Sequence, residues 1–179
     1  MRRIFLLILL LFNIESFSSY LLIPMDDSQT NHLKSYGIAF LSIQNEVKVD
    51  WLLNYKGGSF LIKHYPEIEK ECIVRGVSYQ IIADAQSTEI LRSISSPSVN
   101  QDVVRLEKTP KIAIYSPKNK QPWDDAVTMA LTYAEIPYDI IYDEEVLSGV
   151  LPLYDWLHLH HEDFTGQYGK FYATFKNAT

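Results

Sequence analysis

Alternation of hydrophobic period is the feature that most constrains this chain. From residue 20 onward, stretches whose apolar residues alternate or run together take turns with stretches where they recur every three to four positions, the mark of strands and helices in succession. Tyr20 to Met25 reads as a buried strand closed by Pro24, Asp26 and Asp27. Leu33, Tyr36, Phe40 and Ile43 share one face of a helix from Thr30 to Gln44, with Ser28 or Thr30 placed to cap it. Val47 to Tyr55 alternates as a second strand and breaks at Lys56-Gly57-Gly58-Ser59. Pro66 opens and Gly76 closes the next helix, the preferred asymmetry of helix ends.

Val77 to Ala83 reads as a third strand, and Asp84 or Ser87 caps a short helix carrying Ile90, Leu91 and Ile94, stopped by Pro97. Ser95 to Pro110 is polar and aperiodic, which predicts a linker over 98–110. The pattern then restarts with strands at Lys111 to Tyr115, Tyr138 to Tyr142 and Leu153 to His160, separated by helices at Trp123 to Ala134 and Asp143 to Ser148. Strands separated by helix-length segments pair in parallel through right-handed crossovers. The expected fold is therefore an open, doubly wound, mainly parallel α/β sheet, flavodoxin-like in kind, with one unit over 19–97 and a second over 111–179.

The N-terminus has a different character. Arg2 and Arg3 precede the apolar run Ile4 to Phe12, and small residues stand at Ser16 and Ser18, the pattern of a secretory signal peptide over 1–18 cleaved after Ser18. That run covers roughly 14 Å at ~1.5 Å per residue against a hydrocarbon core of ~30 Å, too short for a span. The expected location is periplasmic or extracellular, with no stable membrane span after cleavage. Roughly 160 residues then remain, enough to bury a core without staples. Cys72 is the one cysteine, so no intrachain disulfide can form, and the formal charge of -6 argues against a nucleic-acid surface.

Ligands in open parallel sheets bind beyond the carboxyl ends of the strands. That rule points to Asp26, to the turn Lys56, Gly57, Gly58 and Ser59, to Asp124 and Asp125, and to His160, His161, Glu162 and Asp163 as residues that could hold a small polar ligand. The glycine turn offers backbone N–H groups to an anion, or is simply a turn requiring positive φ, and it lacks the phosphate-loop spacing. Asp124 and Asp125 are acids in a site or complements of a helix dipole. His158 and His160, at i and i+2 with carboxylates nearby, have the chemistry of zinc ligands, or are hydrogen-bonded strand residues. Cys72 shares a helical face with Ile68, which predicts a core thiol rather than a nucleophile, and no Gly-x-Ser-x-Gly elbow occurs.

Four blocks resemble a family of exported bacterial proteins commonly labelled asparagine synthetase B: Leu22 to Asp26, Trp51 to Phe60, Lys120 to Asp125 and Tyr154 to Phe164. The resemblance spans the mature chain and implies that Thr179 lies inside a longer protein. It also implies that the part from Lys111 is similar to the opening of a class I glutamine amidotransferase-like domain. Synthetase chemistry needs an N-terminal cysteine after Met removal and a Ser-Gly-Gly-x-Asp-Ser loop. Here position 2 is Arg2, and Gly57-Gly58-Ser59 lacks that loop's order and its Asp. Two classes of function follow: a ligand-binding envelope protein without the synthetase motifs, or an enzyme, amidotransferase-like or metal-assisted, completed by residues beyond this chain. Cofactor and substrate stay open.

Export predicts a mature N-terminus at Ser19 or within a residue or two of it. Intact-mass measurement of protein recovered from the cell envelope checks this, and uncleaved protein in the membrane fraction would refute it.

Overall fold

A compact reversal between residues 53 and 59 decides the architecture of the first part of the chain. Asn54, Lys56, Gly57 and Gly58 all take positive φ, at 60, 44, 78 and 96°. The chain turns back on itself there, so strand β2 (Val49–Leu53) and strand β3 (Ser59–Lys63) form an antiparallel hairpin. The structure, a computed structural model, describes residues 19–116 and 126–159. The chain divides into two units, Met1–Thr109 and Pro110–Thr179.

In the first unit β1 (Ser19–Ile23) pairs antiparallel with β3 and with β4 (Gln80–Ala83), and β5 (Asp102–Leu106) pairs antiparallel with β2. The sheet is five-stranded in the order β4-β1-β3-β2-β5. This corrects the expectation of a mainly parallel, doubly wound sheet for this unit. The physical reason is that a continuous apolar run reports two covered faces and says nothing about strand direction. Leu21, Ile23, Phe60 and Ile62 face a core shared with helices α1 (His32–Gln44) and α2 (Pro66–Arg75). Their neighbours Leu22 and Leu61, together with Leu52, face the opposite core, closed by α3 (Asp84–Ile94). Successive strand residues point to opposite faces, so both are filled.

Two strands escape the period-two reading. In β3 the run Phe60-Leu61-Ile62 is buried on both sides and shows no alternation. β5 is a short edge strand inside the segment read as an aperiodic linker, and its pairing from Val49↔Leu106 to Leu53↔Asp102 is made by partners distant in sequence. Helix α1 also lies differently from its expected face. Leu33 and Tyr36 are 43% and 44% exposed, while Ser35, Ile38, Ala39 and Ser42 are buried. These positions repeat at i, i+3, i+4 and i+7, so they form one stripe, and the small side chains of Ser35, Ala39 and Ser42 let the helix lie close to its neighbours. Its cap is Asn31, whose side chain accepts from the Lys34 amide, rather than Ser28 or Thr30. Neither Asp84 nor Ser87 caps α3, whose N-cap Ala83 makes no side-chain bond. Helix α2 follows the sequence closely, with Pro66 in its first turn, Gly76 left-handed at its end, and Ile68 and Cys72 buried.

The second unit has the parallel pairing. Strand β6 (Ile112–Tyr115) lies between β7 (Asp139–Ile141) and β8 (Trp156–Leu159), parallel to both, in the order β7-β6-β8. Helix α4 (Ala126–Ala134) connects towards β7, and α5 (Asp143–Leu147) with a 3-10 turn at Leu151–Leu153 connects β7 to β8. Ile112 and Ile114 pack with Leu131 of α4. Among the described residues no helix is long and apolar enough to cross a membrane.

The hairpin turn is closely packed: a Cβ on Gly57 would stand 2.3 Å from the Met25 carbonyl oxygen, whereas one on Gly76 would meet nothing within 4 Å. Both glycines are left-handed, so an alanine at either bears the backbone penalty of roughly 1–2 kcal/mol. Gly57→Ala is therefore expected to cost clearly more than Gly76→Ala in denaturant unfolding. Equal losses would show that the approach to Met25 is not a constraint.

Candidate functional site

The segments expected to share a ligand edge follow strands that belong to two different sheets. β1 and β2 run in the same direction on either side of β3, so the segments that leave their ends meet: the Met25 amide donates to the Lys56 carbonyl at 2.9 Å. Asp26 is half-buried and accepts from the Ser28 hydroxyl at 2.5 Å and the Ser28 amide at 3.1 Å. These two bonds, with the Lys56 charge as a smaller cause, hold its carboxyl below the ordinary value. In the glycine turn the amides of Gly58 and Ser59 both donate to the Tyr55 carbonyl, and the Ser59 hydroxyl does the same. Those donors are engaged inside the turn, which closes the reversal and does not present them to an anion.

His160, His161, Glu162 and Asp163, with Asp124 and Asp125, lie outside the described residues. What is described is their approach. Strand β8 belongs to the three-stranded sheet, so the expectation that it leaves the same sheet as Asp26 is overturned. In that smaller sheet Tyr115 and Leu159 pair at the carboxyl ends of adjacent parallel strands. The Tyr115 hydroxyl donates to Asp143 at 2.5 Å, its ring lies 5.2 Å from that of Tyr142, and buried Ser116 donates its amide to the Ile141 carbonyl. His158 is half-buried opposite Ile114. Among the described residues no group of three or more His, Cys, Asp or Glu could hold a metal ion.

A constellation that the sequence reading missed lies at the opposite edge of the five-stranded sheet. Ser19 at the start of β1 and His64 just past β3 are joined through Ser19 Oγ and His64 Nδ1 at 3.0 Å. His64 Nε2 meets Glu69 Oε2 at 2.6 Å, and the Tyr79 hydroxyl donates to Glu69 Oε1 at 2.9 Å. The His64 amide donates to the Ser19 carbonyl, which fixes the two strand ends in register. His64 and Glu69 side chains are 22% and 26% exposed, sheltered yet within reach of solvent. No family model, no curated protein and no solved structure matches this chain.

Two grooves open at the same edge. One, of about 600 Å³, has an apolar floor of Leu41, Val47 and Ile68 beside Tyr65, with Glu46, Glu67 and Glu71 around it. The other, of about 340 Å³, is lined by Tyr20, Lys48, Asp50, Lys63 and Arg105 among others. Nearly buried Asp50 is held there by a two-pronged bond from Arg105, at 2.8 and 3.1 Å, across the β2–β5 pair. Both volumes lie in the range of small-ligand clefts. Cys72 is not part of either: it is fully buried, and burial, the largest cause, pushes its thiol up to about 12, so it stays neutral and unreactive.

His64 and then Tyr79 hold the Glu69 carboxyl below its ordinary value by hydrogen bonding. A depressed carboxyl contributes stability above its unfolded value and loses it as pH falls, because the unfolded chain then binds more protons. Glu69→Gln is expected to flatten the fall in melting temperature through the carboxylate range, about pH 5 to 3. An unchanged slope would mean that the His64–Glu69 contact contributes nothing to the fold.

Proposed function

We propose that this is an exported α/β protein that holds a small polar ligand at the carboxyl ends of the parallel strands of its second unit. The observation that carries the reading is the strand order β7-β6-β8. The chain leaves β6, passes to one side to form β7, and returns to the other side to form β8. The connection direction therefore reverses between β6 and β8. In open parallel sheets the crevice beyond such a switch point is where ligands bind, because loops diverge there and leave space. Tyr115, Ser116 and Leu159 would stand at its floor by register, with Asp143 beside Tyr115.

The segments that follow β6 and β8 in the sequence carry Asp124, Asp125 and His160 to Asp163, the acids and imidazoles that the sequence offers for polar recognition. The four residue blocks that resemble the exported family labelled asparagine synthetase B support placing the chain in that family. They also support reading the second unit as the opening of a doubly wound, class I amidotransferase-like sheet. The synthetase's own cysteine and ATP loop are missing from the sequence, so binding rather than amide transfer is the activity proposed for this chain.

The reading is checked by screening the full chain against amino acids, carboxylates and phosphate monoesters by thermal shift, then mapping a stabilising compound by hydrogen exchange. Protection is expected at residues 114–116 and 158–163. His160→Ala with His161→Ala should weaken that compound's binding roughly tenfold or more, the order of one or two lost hydrogen bonds to a charged group, while the melting temperature stays near the parent's. Protection confined to residues 19–106, or loss of folding in the double variant, would refute it.

A further inference from the structure

The hydroxyl, imidazole and carboxylate at the far edge of the first unit have a geometry with chemical consequences. An ionised carboxylate only accepts, so Glu69 takes the hydrogen of His64 Nε2. In the neutral ring this leaves the Nδ1 lone pair facing the Ser19 hydroxyl at 3.0 Å. Tyr79 occupies the second carboxylate oxygen and holds Glu69 in place. A serine hydroxyl is a weak nucleophile until a neighbouring base takes its proton, and a base is effective when a third group orients it. Such a relay is recognised by the roles of its members rather than by their order in the chain. Here the ring nitrogens are used in the reverse sense to the common arrangement, with the carboxylate on Nε2. The proton path needs only that the two nitrogens have different partners.

We propose that Ser19, His64 and Glu69 form a nucleophile, base and carboxylate relay that accepts an acyl group from a carboxylic ester. The Ser19 Oγ bonds to the ester carbonyl carbon as its proton passes to His64 Nδ1, and Glu69 stabilises the imidazolium. The bond from that carbon to the ester oxygen breaks, and the proton leaves with the departing alcohol. Water then attacks the acyl carbon, His64 takes the water's proton and returns it to Ser19, and the free acid is released. The step needs no metal and no redox partner. It also lies in the unit that the ligand-binding proposal does not use, so the two stand or fall separately.

A hydrogen-bonded tie between β1, β3 and α2 is the purely structural role for the same contacts. The two differ in what they do to the hydroxyl: a tie leaves Ser19 no more reactive than any other serine. The processed protein is treated with a fluorophosphonate probe, in which the serine oxygen bonds to phosphorus and fluoride leaves, and modified peptides are identified by mass spectrometry. Modification is expected at Ser19 in the folded chain and not in the urea-unfolded chain. It should disappear in Ser19→Ala and slow by at least about tenfold in Glu69→Gln, with p-nitrophenyl acetate hydrolysis falling in parallel. An unmodified Ser19 in the folded parent, labelling no faster than in urea, or an intact mass showing that processing removes Ser19 would overturn the proposal, and the first two outcomes depend on no variant's folding.

Discussion

Burial on both faces of β1, β3 and β2 is the constraint from which the rest of the first unit follows. Each of these strands places adjacent apolar residues on opposite sides: Leu21 and Leu22, Leu61 and Ile62 are all at most 1% exposed. A strand of this kind needs a layer above and a layer below, because either uncovered face would return large apolar side chains to water at roughly 1.5–3 kcal/mol each. Helices α1 and α2 supply one layer and α3 the other. The hairpin at residues 54–58 then brings β3 between β1 and β2, and the edges are left to β4 and β5.

Loops are fastened to this core by polar side chains with full sets of partners. Buried Gln29 donates to the carbonyls of Pro24 and Ser78 and accepts from the amides of Ser78 and Asn31. The Thr30 hydroxyl donates to the Gly76 carbonyl at 2.7 Å. The loop after β1 and the loop before β4 are thereby joined, and a buried amide with all its groups satisfied avoids the penalty of desolvation. The Ser19–His64–Glu69–Tyr79 chain does the same at the other edge, with the difference that its members are chemically reactive types and partly open to solvent.

Much of the element order was legible. The strands at β1, β2, β4, β6, β7 and β8 and the helices from Pro66 and from Asp143 follow from apolar period and from end signals such as Pro66 and Gly76. The relay was not legible, since Ser19, His64 and Glu69 carry no local motif and are brought together by the β1–β3 register and the first turn of α2. His64 falls in the segment between the glycine turn and Pro66, where β3 was not recognised. A run such as Phe60-Leu61-Ile62 has no alternation to reveal it. The small-residue stripe of α1 was missed because hydrophobicity alone favours Tyr36 and Phe40 over Ser35 and Ser42.

The sequence by itself determined most of the segments that form strands or helices, the core position of Cys72, and the presence of a turn at Lys56 to Ser59, because these depend on local period, helix-end chemistry and glycine's access to positive φ. Only the tertiary structure decided strand direction in the first unit, the insertion of β3 between β1 and β2, and the meeting of Ser19 with His64. Direction and pairing are set by hydrogen bonds and packing between segments distant in the chain, and a strand covered on both faces has the same apolar pattern whichever way its neighbour runs.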